Sequence, residues 1–254
     1  MERQSQDATP LYARLETRLA SGIASGAYPL GSRLPTEDEL IENFHVSRTT
    51  VRKAIGNLAS RGLVEIRRGV GTFVSQRKIT QELTELTGFV EDMQALDHRP
   101  TARLIDRSIV AADAEVAREL ALPEGAQVVR ITRARLANGV ALSFDETFLP
   151  LDIGEKIITH DLETEPIFAL LEQRYGIPLV EADYRLEAAC AGQEAAAALG
   201  VAAGSPLFLI ERTSYTSNDR PVDYEKLHYR GDLIRFATRL TRRRPAAPVP
   251  GNSE

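Results

Sequence analysis

The stretch LPTEDELIENFHVSRTTVR, residues 34–52, decides the fold of the first part of this chain. It predicts two short helices joined by a tight turn. Leu34-Pro35 is expected to be extended, because the residue before a proline avoids the α-helical region. Thr36 and Glu39 have the spacing of a capping box, in which each side chain accepts a hydrogen bond from a free backbone N–H. Ser47 is a good N-cap for the second helix.

The second of these helices has an apolar side and a side suited to DNA. Apolar residues recur at spacings of three and four, which is typical of a helix packed on a core. The opposite face carries hydroxyl groups and cations and has no acid of its own. Arginine can bind guanine edges and hydroxyls can bind phosphate when such a helix enters a major groove; the alternative is a solvated helix end. The residues concerned are Arg48, Thr49, Arg52, Lys53 and Gly56.

The flanking residues favour DNA binding. Residues 10–25 are predicted as a first helix, because leucine or isoleucine recurs every four residues. Residues 63–67 and 72–74 are predicted as strands around a tight turn at residues 68–71. Three helices and a basic-tipped hairpin make a winged helix-turn-helix. The tip can reach a neighbouring groove or phosphate, and a plain exposed hairpin is the alternative.

Charge is unevenly spread along the 254 residues. Residues 1–77 carry 11 Lys+Arg and 8 Asp+Glu, a net +3, whereas residues 78–254 carry 20 and 28, a net −8. A basic head on an acidic body suits a nucleic-acid contact through the head. The single cysteine, Cys190, excludes a disulfide framework and fits a reducing compartment. Without an apolar signal core or a run approaching about 20 apolar residues, a cytoplasmic protein without membrane contact is expected.

The second part of the chain contains an internal repeat. LALPEGAQVVRITRARL at residues 120–136 aligns with LGVAAGSPLFLIERTSY at residues 199–215, at an offset of 79 residues. Asn138-Gly139 and Asn218-Asp219 then predict hairpin turns that lead into further strands. Each half is therefore expected to contain a helix, a strand, a turn and a strand.

Two such halves predict an antiparallel sheet with helices on it, which is an α+β domain. The predicted helices are residues 112–120 and 193–199, with a further helix at residues 165–175 between the halves. The cleft between the halves is a natural place for a small ligand.

One strand of the repeat suggests an anion site. Period two places Val129, Ile131, Arg133 and Arg135 on one face. If that face points inward, the arginines require an anion such as phosphate or carboxylate, because unpaired buried charge is costly. Arg133 aligns with Arg212, so a structural salt bridge in both halves is the alternative for it, whereas Arg135 aligns with a serine. Acids that could pair these arginines or accept ligand hydroxyls are Asp145, Asp223 and Glu225.

The first part resembles the DNA-binding domain of GntR-family transcription regulators. The resemblance covers essentially all of residues 10–75 and rests on PLY at 10–12, SGAY at 25–28, GSRLPTE at 31–37, VSRTTVR at 46–52 and GVGTFV at 69–74. Many members carry a DNA-contacting arginine where this chain has Asp38; a carboxylate there would repel phosphate, so one groove contact is expected to differ. The expected DNA-binding residues are Arg33, Ser47, Arg48, Thr49, Thr50, Arg52, Lys53, Arg68 and Gly69.

The second part resembles the UTRA effector domain of the HutC subfamily. The motifs are FVEDM at 89–93, RARLANG at 133–139, LP at 149–150, DL at 161–162, YGI at 175–177 and YRGD at 229–232. The resemblance implies a fold similar to chorismate lyase, a homodimer formed through this domain, and a cleft that senses a small metabolite. The effector-binding residues expected from it are Thr87, Phe89, Arg133, Arg135, Asp145, Asp223 and Tyr229.

Amino-sugar-phosphate sensors of this type carry a serine-leucine-tyrosine segment where this chain has Pro166-Ile167-Phe168. In those sensors the two arginines hold phosphate, and acids near Asp145 and Asp223 hold sugar hydroxyls. The hydroxyls that would cap a phosphate are missing here. A carboxylate or a more apolar acid is therefore favoured over a sugar phosphate.

The predicted segments are a winged helix-turn-helix at residues 8–75, a linker at 76–84, an effector-binding and dimerisation domain at 85–241, and a proline-rich disordered tail at 242–254. The predicted function is a sequence-specific, metabolite-responsive repressor, released from double-stranded operator DNA by a small anionic effector. One alternative is an enzyme acting on a small carboxylate through the lyase-like domain. No catalytic residue, cofactor or metal site is predicted, and the arginine pair disfavours a purely structural dimer domain.

Overall fold

The computed structural model describes residues 10–24, 27–29, 31–75 and 78–241. The predictions for residues 8–9, for the first linker residues 76–77 and for the tail at 242–254 lie outside the described residues. Within these ranges, no helix is long and apolar enough to cross a membrane.

The N-terminal domain folds as predicted into three helices and a two-stranded wing. The wing strands pair antiparallel, with Arg67 opposite Gly71. The leucines spaced along the helices form the buried core, which includes Leu19, Leu40 and Leu58. Burying each such side chain contributes about 1.5–3 kcal/mol, so this core holds the three helices together. The elements are α1 (Leu11–Ala24), α2 (Glu37–Phe44), α3 (Arg48–Ser60), β1 (Val64–Arg67) and β2 (Gly71–Val74).

The second domain is built on a six-stranded antiparallel sheet. All strands of this domain are β3 (Ile79–Glu82), β4 (Pro100–Ala111), β5 (Gln127–Ala137), β6 (Val140–Pro150), β7 (Glu181–Cys190), β8 (Pro206–Thr216), β9 (Arg220–Arg230) and β10 (Ile234–Ala237). The order in the sheet is β4-β5-β6-β9-β8-β7. The two halves of the repeat therefore meet at the β6–β9 pair, as the sequence offset requires.

Helices cover both faces of this sheet. They are α4 (Phe89–Ala95), α5 (Ala114–Glu119), α6 (Leu151–Ile157), α7 (Ile167–Ala169) and α8 (Gln193–Leu199). α5 and α8 pack on one face, while α4, α6 and α7 pack on the other. The helix predicted at residues 165–175 begins at Ile167 and, after α7, continues as the π-helical turn Leu170–Arg174.

Two strands of the six-stranded sheet were absent from the sequence prediction. β4 precedes α5 and β7 precedes α8, so each half contains one strand more than predicted. Both are edge strands, and most side chains of β7 are exposed on either face. Residues 181–188, EADYRLEA, alternate polar and apolar residues, so β7 carried a period-two signal that the prediction did not use.

The predicted linker at residues 76–84 differs from the structure at residues 79–82. These residues form β3, which pairs parallel with β10 at the far end of the chain, with Ile79 opposite Ile234. Ile234 is fully buried. The chain therefore joins the second domain directly after the wing, and no long free linker separates the two.

Candidate DNA-binding and effector-binding sites

Side-chain hydrogen bonds fix the starts of α2 and α3, and a tight turn joins the two helices. The Thr36 N–H donates to Glu39 at 2.7 Å and the Thr36 hydroxyl accepts from the Glu39 N–H at 3.3 Å, which confirms the capping box. The hydrogen bond from the Thr36 N–H lowers the pKa of Glu39. His45 lies in the left-handed region at φ 51° and reverses the chain. Ser47 then caps α3 by accepting from the Thr50 N–H at 3.2 Å.

The outer face of α3 is exposed, and the opposite face is buried. Val51 and Leu58 are fully buried in the core. Thr50 is half-buried, and its hydroxyl lies 2.9 Å from the Ser47 hydroxyl. These two hydroxyls are therefore already hydrogen-bonded to each other. The exposed predicted DNA-binding residues of α3 are Arg48, Thr49, Arg52 and Lys53.

Two carboxylates from α2 lie against this face. Asp38 Oδ1 is 2.6 Å from Arg48 Nη2, and Glu37 Oε1 is 3.7 Å from Arg52 Nε. The face has no acid of its own, as predicted, but the neighbouring helix brings acids to both arginines. The periodicity of α3 alone could not show this, because these acids belong to a different helix.

Lys53 and Arg33 have contacts that the sequence did not indicate. Lys53 Nζ lies 3.8 Å above the centre of the Tyr12 ring, which draws the ammonium towards α1. Arg33 crosses the wing at Gly71. A Cβ at Gly71 would lie 2.5 Å from Arg33 Nε, and Gly71 has a φ of +144°, so a larger residue would displace Arg33 and strain the backbone. Arg33 therefore stands beside the wing.

The wing tip is exposed, as a DNA contact requires. Arg68 and Gly69 are both exposed, and Gly69 has a φ of +74°, which closes the turn. Arg67 lies 4.5 Å over the Phe73 ring, so it stabilises the wing from below the tip.

In the second domain, the predicted face of β5 points inward. Arg133 is fully buried and Arg135 nearly so. Arg135 Nε donates to Asp145 Oδ2 at 2.9 Å. The Ser143 hydroxyl donates to the other oxygen of Asp145 at 2.6 Å. The Arg135 guanidinium also lies 5.4 Å from the centre of the Phe89 ring, so this arginine is held on several sides.

Arg133 lacks the salt bridge that its repeat partner suggested. The one side-chain hydrogen bond found for it among the described residues runs from Nη2 to the Thr147 hydroxyl at 3.5 Å. Nε and Nη1 have no hydrogen-bond partner among the described residues. Burial, together with the positive charge of Arg135, lowers the pKa of Arg133 to about 9. A buried guanidinium without an ion pair lowers the stability of the fold unless an anion binds to it.

Arg212 is the paired counterpart in the second half. Its Nη2 donates to Glu225, and its Nη1 donates to the Tyr184 hydroxyl at 3.0 Å and to the Thr87 carbonyl at 3.3 Å. The Phe168 ring stacks on it at 4.5 Å. Burial alone would lower the pKa of Arg212, but Glu225, Tyr184 and Asp223 together outweigh it and hold the pKa well above its usual value.

A cavity of about 290 Å³ opens beside these groups. Phe89 and Phe168 contribute aromatic rings to its wall, and the polar and charged residues that line it are Glu91, Gln94, Arg135, Gln173, Arg212 and Glu225. A second cavity of about 440 Å³ shares Arg135 with it and extends towards the start of β4. The arrangement can hold a small anion that also carries an apolar part.

The structure brings together five of the predicted effector residues. Thr87, Phe89, Arg135, Asp145 and Tyr229 line one small pocket beneath the main cavity. The Thr87 hydroxyl donates to Asp92 at 2.5 Å, and burial raises the pKa of Asp92. Burial likewise raises the pKa of Tyr229, which is therefore neutral.

Asp223, like Arg133, is not among the residues that line these cavities. It accepts a hydrogen bond from the Ser214 N–H at 3.2 Å. Its other oxygen and the Ser214 hydroxyl have no hydrogen-bond partner among the described residues. Burial, and next the charge of Glu225, raises the pKa of Asp223 to about 7.

Sequence reasoning did not assign Arg212, Tyr184 or Asp92 to the site, whereas Glu225 was expected as a possible partner of the arginines. Arg212 could have been found, because it matches Arg133 in the repeat. Tyr184 and Asp92 carried no such signal, since they come from an edge strand and from a helix outside the repeat.

The two domains meet at the turn between β5 and β6. Arg61, the C-cap of α3, donates from Nε to the Asn138 carbonyl at 3.0 Å and from Nη2 to the Gly139 carbonyl at 3.2 Å. Its Nη1 donates to Glu16 of α1 at 2.6 Å. The hairpin that carries Arg133 and Arg135 therefore contacts the end of the helix that presents Arg48 and Arg52.

Comparison with known proteins agrees with both domains. The family described as bacterial regulatory proteins, gntR family, matches residues 11–74, and the UTRA domain matches residues 95–235. The HTH-type transcriptional repressor NagR of Bacillus subtilis is 34% identical over 242 residues, which are 95% of this chain and 99% of that protein. The histidine utilization repressor of Pseudomonas putida is 29% identical over 233 residues, 92% of this chain and 93% of that protein.

A solved structure has the same architecture. The crystal structure of PhnF from Mycobacterium smegmatis matches with a TM-score of 0.63 and 30% identity, covering 92% of this chain and all of that one. The chain therefore belongs to the gntR family of bacterial regulatory proteins, as a UTRA-domain member of the HutC type, and is a DNA-binding transcription regulator rather than an enzyme.

Proposed function

We propose that this chain is a cytoplasmic, homodimeric repressor that a small anionic metabolite releases from double-stranded operator DNA. Relatives that match nearly the whole chain are named as repressors, which supports the direction of regulation. The observation that carries the effector proposal is the buried arginine cluster. Arg133, Arg135 and Arg212 lie together, and one of them has no carboxylate partner.

The charges of the cluster favour an anion. Arg135 pairs with Asp145 and Arg212 pairs with Glu225, which leaves the charge of Arg133 uncompensated by any ion pair among the described residues. A ligand carboxylate or phosphate would supply that charge and accept hydrogen bonds in the planar geometry of guanidinium groups. Phe168 presents a ring to the cavity rather than a hydroxyl. This favours a carboxylate with an apolar or aromatic part over a sugar phosphate.

The DNA contacts are proposed to come from the exposed start of α3 and from the wing. Arg48→Ala and Arg52→Ala should each weaken binding to operator DNA much more than binding to scrambled duplex. One good base contact contributes about 1–3 kcal/mol of discrimination, and a dimer makes each contact twice. Equal losses on both duplexes would remove these residues from base recognition. The proposed set is Arg33, Ser47, Arg48, Thr49, Thr50, Arg52, Lys53, Arg68 and Gly69.

A homodimer that binds an inverted repeat follows from the size of the DNA-binding surface. One helix and one small wing supply too few contacts for tight operator binding, whereas two heads double them. Half-sites are expected roughly 34–36 Å apart, one turn of the double helix, or at a multiple of that distance. Sedimentation of the full chain, alone and on operator DNA, tests this. A monomer that binds one half-site with full affinity would contradict it.

Release is proposed to pass through the β5–β6 hairpin, because its strands carry the cleft arginines and its turn contacts Arg61. A ligand can shift the DNA-binding heads only by binding one arrangement more tightly, and typical couplings are about 1–3 kcal/mol.

The experiment is an operator-release titration with a panel of small carboxylates and phosphates. Arg135→Ala should retain operator binding and lose the response of the wild type to its metabolite. Arg135→Lys should restore it only in part, because an ammonium lacks the planar fork. The matched control is Arg130→Ala, since Arg130 lies on the same strand but pairs with Glu146 outside the cavity. If Arg135→Ala and wild type respond at the same concentration, the cluster is structural.

A further inference from the structure

The first turn of α2 places a carboxylate directly on the first arginine of α3. Asp38 Oδ1 lies 2.6 Å from Arg48 Nη2, a charge-assisted hydrogen bond. The Asp38 side chain is 74% exposed and the Arg48 side chain 61% exposed. Ion pairs this exposed contribute little to folding stability, because water and salt screen them and both side chains lose rotamer freedom. The pair therefore calls for an explanation other than stability of the fold.

The contact limits where the Arg48 guanidinium can point. A free arginine side chain on a helix surface samples many rotamers, and each must be given up when it docks on a base. Here one Nη2 N–H is held by Asp38, while no other hydrogen bond of the Arg48 guanidinium is found among the described residues. The rest of the planar group remains available to the O6 and N7 acceptors of a guanine. Asp38 thus prepares Arg48 for one geometry.

The same carboxylate opposes binding to DNA in general. Non-specific affinity arises mainly from cations that neutralise phosphates, and an exposed acid on the DNA-facing side reduces it. Glu37 lies 3.7 Å from Arg52 and acts in the same sense on the next turn of α3. A carboxylate at position 38 therefore lowers the affinity for every DNA sequence. The orientation that it gives Arg48 restores affinity only for DNA that has the base recognised by Arg48.

We propose that Asp38 is a positioning residue that sets base selectivity by holding Arg48, at the expense of non-specific DNA affinity. The proposal rests on the DNA contact proposed above for Arg48. It explains how a chain with an acid at this place in the motif can still bind one operator tightly, because the specificity ratio depends on weak binding to all other sequences as well as on strong binding to one.

The test begins with the full-length protein and a pool of random duplexes, from which wild type selects its preferred DNA. Binding is then measured to the selected duplex, to its single-base variants and to scrambled duplex, at several salt concentrations. For wild type, we expect about tenfold or greater discrimination at the guanine that Arg48 binds.

Asp38→Asn keeps the size of the side chain and removes the charge that holds Arg48. We expect it to lose most of the discrimination at that one base pair, and to bind scrambled duplex about two- to fivefold more tightly, with a steeper salt dependence. The matched control is Glu42→Gln, the same change at an exposed acid of the same helix that forms no ion pair among the described residues. It should leave discrimination at every position unchanged.

The double variant with Arg48→Ala separates the explanations. Arg48→Ala alone should abolish discrimination at this base pair, and adding Asp38→Asn should then change only non-specific affinity. If Arg48→Ala has no effect on any base pair, the proposed DNA contact fails and this inference fails with it. If Arg48→Ala loses discrimination but Asp38→Asn retains it, only this inference is overturned. A loss from Asp38→Asn that persists without Arg48 would mean that Asp38 contacts a base itself, which also overturns it.

Discussion

The two halves of the UTRA domain each have an arginine at the matching position, but only one of these arginines forms an ion pair. In the second half, Arg212 lies opposite Glu225 and pairs with it. In the first half, Arg133 lies opposite Asp145 in the same way, yet Asp145 pairs with Arg135 instead. Arg135 has no arginine counterpart in the second half, where the aligned residue is Ser214.

We propose that this difference gives the two arginines different roles, a structural one for Arg212 and a ligand-binding one for Arg133. The second half keeps a closed ion pair whose arginine has a raised pKa. In the first half, the additional arginine takes the acid, and Arg133 is left buried without a carboxylate and with a lowered pKa. We propose that the repeated domain uses the same register position for stability in one copy and for ligand binding in the other. A substitution in one half can therefore be compared with the unchanged residues of the other half.

The largest effect is expected for Arg212→Ala. Removing one member of a buried pair leaves Glu225 buried and uncompensated, which should lower the free energy of unfolding by about 3–5 kcal/mol. Urea unfolding of the full chain measures it. Arg130→Ala is the control, because it breaks a partly exposed pair with Glu146 and should cost less than about 1 kcal/mol. Equal losses for the two variants would show that the Arg212 pair is not the structural one.

The next effect concerns Asp223 of the second half, which lies opposite Ser214. The corresponding pair in the first half is Arg135 opposite Ser143. Burial raises the pKa of Asp223 from 3.8 to about 7. The folded state therefore binds more protons than the unfolded state between about pH 4 and pH 7, and stability falls as pH rises through this window.

Asp223→Asn should remove this dependence. Its stability advantage over wild type should grow from about pH 4, level off above about pH 7, and reach about 1–3 kcal/mol. Urea midpoints across this pH range measure it, with the exposed Asp183→Asn as a control that should follow wild type. If the Asp223→Asn and wild-type profiles run parallel, Asp223 titrates normally.

A smaller effect, of opposite sign to that of Arg212→Ala, is expected for Arg133→Met. Methionine has a similar length and removes a buried charge that has no carboxylate, so the free energy of unfolding should stay the same or rise by up to about 2 kcal/mol. Arg212→Met provides the comparison in the other half and should destabilise. A loss of more than about 2 kcal/mol from Arg133→Met would mean that Arg133 is paired in solution.

The smallest effect should appear at the hairpin turns. Asn138-Gly139 accepts hydrogen bonds from Arg61, whereas the equivalent turn Ser217–Asp219 has none to the DNA-binding domain among the described residues. Arg61→Ala should cost about 1 kcal/mol locally. Amide hydrogen exchange at Gly139 and Val140 should then become about fivefold faster, with no change at Asn218 and Asp219. Equal changes at both turns would indicate a general loosening.

Sequence alone predicted the features that depend on local signals. Thr36, Glu39 and Ser47 mark helix starts by side-chain hydrogen bonds to their own backbone, so the helices of the head were placed within a few residues. The 79-residue offset predicted the paired hairpins, because matching positions in two copies must fold alike. The period of a strand placed Arg133 and Arg135 on one face, and the structure shows that this face points inward.

The features that sequence missed depend on contacts between distant residues. Ile79 pairs with Ile234, a partner that no local pattern reveals, so β3 was taken as linker. Asp38 was recognised as an acid at a DNA-contacting position, but its ion pair with Arg48 across the turn was not expected. The choice of Asp145 between Arg133 and Arg135 depends on side-chain geometry within a buried layer.

The central claim is that the unpaired arginine of the first half binds the effector. The most direct measurement is the melting temperature of wild type and of Arg133→Met against a panel of small carboxylates and phosphates, with Arg130→Met as control. We expect one anion to raise the melting temperature of wild type and of Arg130→Met, and to leave Arg133→Met unmoved. If Arg133→Met shows the same shift at the same concentration, the buried arginine has no part in binding and the account is wrong.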